Sequence, residues 1–226
     1  MARRRLHTLD ELLDIAEQLV TSGGPTGLTL RSLATAAGAS NGTIYHAFHS
    51  KDALLARLWL RASSRLGDLM TEALEARTPA EGSAPAPGGP GSVGLSGVDA
   101  VVAVALAPVE LVRRFPSSAR LFFAQRRDQL FSDDLPPEVE TALNAVQKRF
   151  LDLLIALARG VWGRADRHAV EAVAVCVVDL PGGILRRLIL EDRAVEEITA
   201  ARLEAAVRAV LSVPLEPPAT TSRSNQ

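Results

Sequence analysis

Apolar residues recur at three- and four-residue spacing along most of the chain, and alternation of period two is almost absent, which predicts an all-α fold. Thr8-Leu-Asp-Glu11 has the form of a capping box, so a first helix starts there and buries Leu9, Leu12, Leu13, Ala16, Leu19 and Val20 on one face. Gly23-Gly-Pro25 stops it. Thr29 caps a short second helix with Leu30, Leu33, Ala34 and Ala37 inward, and Gly38 ends it. Ser40 caps a third helix almost at once. Two short helices joined by about three residues that include a glycine describe a helix-turn-helix. Ser50 then caps a longer fourth helix carrying Leu54, Leu55, Leu58, Leu66 and Leu69.

In the segment 79–97, ten of nineteen residues are Pro or Gly, which predicts a flexible loop or linker in place of packed structure. A domain boundary and a long loop within one core both fit. Helical patterning resumes over 98–114, 117–130, 137–159, 165–190 and 194–211. Pro116 and Pro136-Pro137 suit helix starts, whereas Pro181-Gly-Gly183 should kink or break the fourth of these stretches. The tail 213–226 is expected to be disordered.

Composition narrows the class. With 226 residues and 47% apolar content the chain can bury a sizeable core. Its 25 basic and 26 acidic residues nearly cancel, so any attraction to nucleic acid has to be local. Up to Ala62 there are seven Lys or Arg against five Asp or Glu, and after it eighteen against twenty-one. The N-terminal part is mildly basic. The single cysteine, Cys176, excludes an internal disulfide framework, and a reducing, cytoplasmic setting fits. Acidic Asp10, Glu11 and Asp14 follow Met1-Ala-Arg-Arg-Arg5 where a signal peptide needs an apolar run, and the runs 100–109 and 173–178 fall short of the roughly 18 residues of a membrane span. Four dispersed histidines, His7, His46, His49 and His168, form no metal-ligand pattern, and no cofactor is expected. No nucleophile elbow, phosphate loop or dinucleotide fingerprint points to an enzyme, and Asp133-Asp134 and Glu196-Glu197 read as solvated charges.

The chemistry gathers between Gly38 and Leu55. The second helix of a helix-turn-helix enters the major groove with its N-terminal residues toward base edges. Here those residues are Ser40, Asn41, Gly42 and Thr43, all short. The Asn41 amide suits bidentate pairing with adenine, and Thr43 offers a methyl and a hydroxyl. Gly42 costs its helix about 1 kcal/mol relative to Ala; close approach to DNA supplies a reason, and plain tolerance is the alternative. Tyr45 and His46 face outward as phosphate donors, with Ile44, Ala47 and Phe48 toward the core, while His49 falls in the turn. Lys51 lies in the first turn of the fourth helix, where it opposes the helix dipole unless a phosphate is bound. A solvated surface lysine is the other reading, although the chain has only Lys148 besides. Arg3, Arg4 and Arg5 form a basic arm suited either to a minor groove or to solubility.

The run Gly27-Leu-Thr-Leu-Arg-Ser-Leu-Ala-Thr-Ala-Ala-Gly-Ala-Ser-Asn-Gly-Thr-Ile-Tyr-His-Ala-Phe-His-Ser-Lys-Asp-Ala-Leu-Leu55 resembles the DNA-binding domain of TetR-family transcriptional regulators. The resemblance spans about 45 residues from the first helix and departs from the family at Asn41, often lysine there, and at Ala47, often aromatic. It implies that Thr29, Arg31, Tyr45, His46 and Lys51 contact the DNA backbone and that Ser40, Asn41, Gly42 and Thr43 lie nearest the bases. It further implies a helical ligand-binding and dimerisation core, in which two subunits pair through their last two long helices.

That core carries no motif of its own. Val173, Val177, Leu180, Ile184, Leu185 and Leu188, with Ile198, Leu203, Val207, Val210 and Leu211, offer more apolar surface than a monomer needs, or else fill an internal core. Phe122, Phe123, Arg126 and Trp162 are candidate ligand-binding residues, with Phe115, Phe131 and Phe150 as further walls and Gln125 and Asn144 as further anchors; core packing is the commoner explanation of such aromatics. The expected organisation is a DNA-binding domain over 1–53, a regulatory and dimerisation domain over 54–212, and the tail 213–226. The expected function is a homodimeric repressor on a palindromic double-stranded DNA operator, released by a small-molecule effector. A constitutive DNA-binding or dimeric interaction protein without an effector pocket is the alternative.

Overall fold

The computed structural model describes residues 7–77, 96–124, 130–132 and 134–216. The arm Arg3 to Arg5, most of the 79–97 segment, Gln125, Arg126, Asp133 and the last ten residues lie outside them. The described residues form helices α1 Leu9–Gly27, α2 Leu30–Ala37, α3 Asn41–Phe48, α4 Lys51–Arg77, α5 Gly97–Arg114, α6 Pro116–Ala124, α7 Pro137–Trp162, α8 Arg167–Ala174, α9 Leu180–Leu190 and α10 Glu197–Ser212, with a π-helical turn Val175–Asp179 joining α8 to α9. No strand occurs among them. The fold is all-α: an N-terminal helix-turn-helix followed by a helical core.

Local chemistry sets the N-terminal boundaries. Thr8 Oγ1 accepts from Glu11 N at 3.2 Å, and Glu11 Oε2 accepts from Thr8 N at 2.8 Å, closing the capping box of α1. Gly24, at φ 70°, breaks the helical path, and one further turn runs on to Gly27. At α2 a reciprocal pair forms between Thr29 and Ser32, so a serine does the work usually given to Glu or Gln. Gly38 closes α2 in the left-handed region, φ 63° and ψ 24°, a conformation open to it without a Cβ. Ser40 Oγ accepts from Thr43 N at 3.1 Å and starts α3.

An eight-residue helix is unstable alone. Ile44 and Phe48, both 0% exposed, hold α3 in place, each burial worth roughly 1.5–3 kcal/mol. They join Leu12 and Ala16 of α1, Leu33 of α2 and Leu54 and Leu58 of α4 in one apolar cluster, which also takes in Leu121 of α6 and Leu143 of α7. A second cluster gathers Leu66 and Met70 of α4 with α5, α7 and the helices beyond. Helix α4 belongs to both.

The segment 165–190, expected as a helix kinked or broken at Pro181-Gly-Gly183, runs without a break from Arg167 to Leu190. Pro181 removes a hydrogen-bond donor and crowds the carbonyl four residues back. The backbone answers by widening: Leu180 N–H donates to Val175 O, five residues earlier, and the π turn carries the chain into α9. Pro108 stands inside α5, which runs on through it.

Gly97 is the first residue of α5, although its composition suggested loop. A Cβ there would lie 2.1 Å from Gly160 O of α7, so the two helices meet backbone to backbone. Of the apolar residues of the last helices, Val173, Val177, Leu185, Leu188, Leu203, Val207 and Leu211 fill an internal core, because α8 to α10 pack on α5 and α7. Ile198 of the same set is exposed, as are Val175, Val178 and Leu190.

Candidate nucleic-acid interface

Helix α3 divides cleanly into two faces. Ile44 and Phe48 point inward; Asn41, Gly42, Thr43, Tyr45 and His46 are exposed. The Ser40 hydroxyl is committed to the cap and lies 2.9 Å from Thr43 Oγ1, which fixes both hydroxyls at the leading end of the helix. A Cβ on Gly42 would meet only Ser40 Oγ, at 3.7 Å, an ordinary contact. Nothing within the protein demands glycine there. The open side of Gly42 faces solvent together with the Asn41 and Thr43 side chains.

Neighbouring elements bring the remaining residues to the same end of the molecule. Thr29 and Arg31 are exposed at the start of α2, where the free amide ends of the helix also lie. Thr29 spends its hydroxyl on Ser32, so what it offers outside is mainly backbone position. After α3 the chain reverses tightly: His49, at φ 64° and ψ −46°, sits in a γ-turn closed by Ser50 N to Phe48 O at 2.7 Å. This conformation is strained for a residue with a Cβ. It sets Ser50 to cap α4 through Ala53 N at 3.0 Å and puts Lys51 in the first turn. The His49 ring lies 6.4 Å from that of Tyr45, so His49 belongs to the exposed face and not to open solvent alone.

The electrostatics favour an anion. From residue 18 to residue 51 the chain has Arg31 and Lys51 but no Asp or Glu. The nearest carboxylate along the chain past this stretch, Asp52, is engaged by Ser132, whose Oγ donates at 2.6 Å and whose N donates at 3.0 Å. Those bonds, helped by Lys51, hold its pKa below the ordinary 3.8. One contact was not legible in the sequence: His7 Nε2 lies 2.6 Å from Ala37 O, tying the start of α1 to the end of α2.

Behind the interface, Arg57, Arg61 and Arg65 form a stripe on α4 at four-residue spacing. Arg61 reaches Asp14 of α1 at 2.5 Å and Arg57 reaches Glu138 of α7 at 3.2 Å. Arg65 Nη1 donates to both Glu17 oxygens, at 2.8 and 2.9 Å, and to Ser118 Oγ of α6 at 2.6 Å. Helices α1, α4 and α6 thus share one largely buried polar node.

Helix α6 also contributes to a cavity of about 640 Å³ between α4, α5, α6, α7 and the π turn. Phe122, Phe123 and Phe150 line it, and Asn144 does not. Trp162 is corrected: it ends α7 among the C-terminal apolar cluster and does not line the cavity. Phe115 lies under the Arg65 guanidinium, 4.5 Å from its ring, and Phe131 joins the N-terminal cluster. Arg126 lies outside the described residues. Trp59, overlooked in the sequence, stacks on Phe122 at 5.3 Å. Its signal was present: Trp59, Met70 and Leu74 fall at helical spacing with Leu66 and widen the apolar face of α4 beyond Leu54, Leu58 and Leu69. Among the described residues no group of three or more His, Cys, Asp or Glu can hold a metal ion, and no helix is long and apolar enough to cross a membrane.

A short helix displaying small polar residues, held by a tight turn against a preceding helix and backed by a helical core, defines a helix-turn-helix DNA-binding module on an all-α scaffold. Residues 12–58 match the family of bacterial regulatory proteins known as the tetR family. Over these residues the chain is similar to that family. Two uncharacterized HTH-type transcriptional regulators of Mycobacterium tuberculosis, from strains CDC 1551 and H37Rv, are each 37% identical to it over 81 residues, 35% of this chain. The match spans 40% of the length of those relatives. Over nearly the whole chain the fold is that of a solved FadR of Bacillus subtilis in complex with stearoyl-CoA, with TM-score 0.61 and 15% identity, covering 91% of this chain and 98% of that one. It is likewise similar to the TetR-family regulator PfmR of Thermus thermophilus, with TM-score 0.57 and 21% identity over 89% and 97% of the two chains.

Proposed function

We propose that this chain is a ligand-responsive transcriptional repressor that binds a palindromic DNA operator as a homodimer. The observation that carries the reading is a recognition segment without Asp or Glu from residue 18 to residue 51, with Asn41, Gly42 and Thr43 exposed on α3 and Lys51 at the adjoining helix start. In this reading Ser40 to Thr43 face the bases, and Thr29, Arg31, Tyr45, His46 and Lys51 meet phosphates. Residues 1–53 form the DNA-binding unit and 54–212 the regulatory unit.

Two recognition helices have to match half-sites about one helical turn apart or a multiple of it. Exposed Val175, Val178, Leu190 and Ile198 favour pairing of two copies through the π turn, α9 and α10. The cavity supports an effector site, since it is mostly apolar with a few polar groups at its edge. That a FadR of the same fold is solved with stearoyl-CoA supports a small molecule in a core of this shape. Because Phe122 and Ser118 share α6, an effector preferring a different α6 position shifts the population of subunit spacings and releases DNA, by no more than its differential affinity for the two states.

Selection of bound DNA from a random pool, followed by sedimentation of the complex, tests this. The reading expects an enriched inverted repeat occupied by two chains or a multiple of two. Recovery of unenriched DNA, or of an asymmetric site bound by a single chain, refutes it.

A further inference from the structure

We infer that the α4–α7 cavity takes an elongated, uncharged lipophile, such as a long-chain alcohol or ketone, lying along α4 across Gly67. The inference rests on the reading of the core as an effector site and adds the chemical class of the effector.

Three observations carry it. The first is shape: on α4 the lining runs from Trp59 to Leu74, about 22 Å at 1.5 Å per residue, so the space is long and not globular. The second is the distribution of charge. Among the described residues, the buried and half-buried walls, which include Trp59, Phe122, Phe123 and Phe150, have no ionisable side chain. The ionisable lining residues, Asp68 of α4 and Arg149 of α7, are exposed at the lip beside Thr71 and Gln147, and carry opposite charge. An ion in the interior would lose hydration without a partner, and an ionic head at the lip would be attracted by one of these residues and opposed by the other. A hydroxyl or carbonyl meets hydrogen-bonding groups there without that conflict.

The third observation is Gly67. It stands in mid-helix, where glycine is poorer than alanine, and a Cβ on it would meet nothing within 4 Å. Neither the local backbone nor the packing of the protein accounts for a missing side chain at this position. Exposed and midway along the α4 lining, it leaves the helix surface bare, so that an occupant can lie against the backbone there.

The test uses the full chain carrying Trp162→Phe, so that Trp59 is the remaining tryptophan. Its emission is titrated with straight-chain 1-alkanols, carboxylates and alkylamines of eight to sixteen carbons below their micelle concentrations. Alkanol affinity is expected to rise about fourfold per methylene, and to exceed that of the equal-length carboxylate and amine by tenfold or more. Gly67→Leu should weaken the longest alkanol at least tenfold without lowering Tm, whereas Gly67→Ala, which adds only a methyl, should raise Tm. Affinity independent of chain length, tighter binding of either charged series, or undiminished binding by Gly67→Leu overturns the assignment. Operator affinity read on the same samples separates the two claims. Alkanol binding that leaves DNA affinity unchanged removes the ligand response and supports the ligand class. Release of DNA by polar metabolites alone, with no alkanol bound, overturns the class and leaves the response standing.

Discussion

Ser118 of α6 donates its hydroxyl to Glu17 of α1 at 2.9 Å, and Arg65 of α4 contacts both. Glu17 is 8% exposed and Ser118 1%, so the node lies where water cannot easily replace a lost partner. It is the polar joint between the helix that supports the recognition unit and the helix that walls the cavity. Ser118→Ala should lower stability by about 1–2 kcal/mol, while operator affinity of the effector-free protein stays within about twofold. Glu17→Ala, which leaves the Arg65 guanidinium only Ser118 and the Phe115 ring, should cost more, about 3 kcal/mol. Urea midpoints and operator titrations on the same preparations check both.

Gly97→Ala should be strongly destabilising although only one methyl is added. The new Cβ would press on the Gly160 backbone, and the helices have to separate; overpacking of this kind costs about 1–3 kcal/mol or more. Gly182→Ala, where a Cβ would meet nothing within 4 Å, is the matched control and should be near neutral or stabilising. The two Tm values decide it.

Asp52 gives a pH signature. Its pKa is lowered in the folded protein by the bonds from Ser132, so ionised Asp52 contributes stability in full above its unfolded pKa near 3.9, and the contribution fades as pH falls through the lowered folded value. Asp52→Asn should therefore be less stable than the parent at pH 7, by a margin that shrinks below about pH 4. A margin that grows on acidification would contradict the assignment.

The contrast between Gly97 and Gly42 shows why some of this structure was legible in the sequence and some was not. Caps at Thr8, Thr29, Ser40 and Ser50 depend on neighbours three residues away, and helical faces depend on spacing alone, so both could be read directly. Exposure of Asn41, Gly42 and Thr43 followed from the same periodicity. Contacts between distant segments carried no such signal: Gly97 against Gly160, His7 on Ala37 O, and the Arg65 node join residues 30 to 101 positions apart. Trp162 was read as a pocket wall because an aromatic residue names no partner, and only the packing of α7 decides which side it faces. The π turn before Pro181 was hidden for a related reason: a proline announces a disturbance, but whether the helix breaks or widens depends on whether α5 and α10 hold it in line.

Lys51 and Asn41 should separate by function. Lys51→Ala is expected to weaken binding to all DNA sequences almost equally and to reduce the slope of log K against log salt by about one. Asn41→Ala should instead relax preference at one base pair in each half-site, a change of about 1–3 kcal/mol in discrimination with little effect on the salt slope. Fluorescence anisotropy over a salt series, on matched and singly substituted sites, measures both.

The central claim is that the exposed edge of α3 reads DNA sequence. Its most direct test is the ratio of affinities for the selected site and for random DNA of equal length at physiological salt, measured on the parent chain and on a variant with Asn41, Gly42 and Thr43 replaced by residues that keep Ser40 as cap. The account predicts a ratio of at least about a thousandfold for the parent, falling by tenfold or more in the variant while its Tm and its affinity for random DNA hold. A parent ratio near one, or an unchanged ratio in the variant, would contradict it.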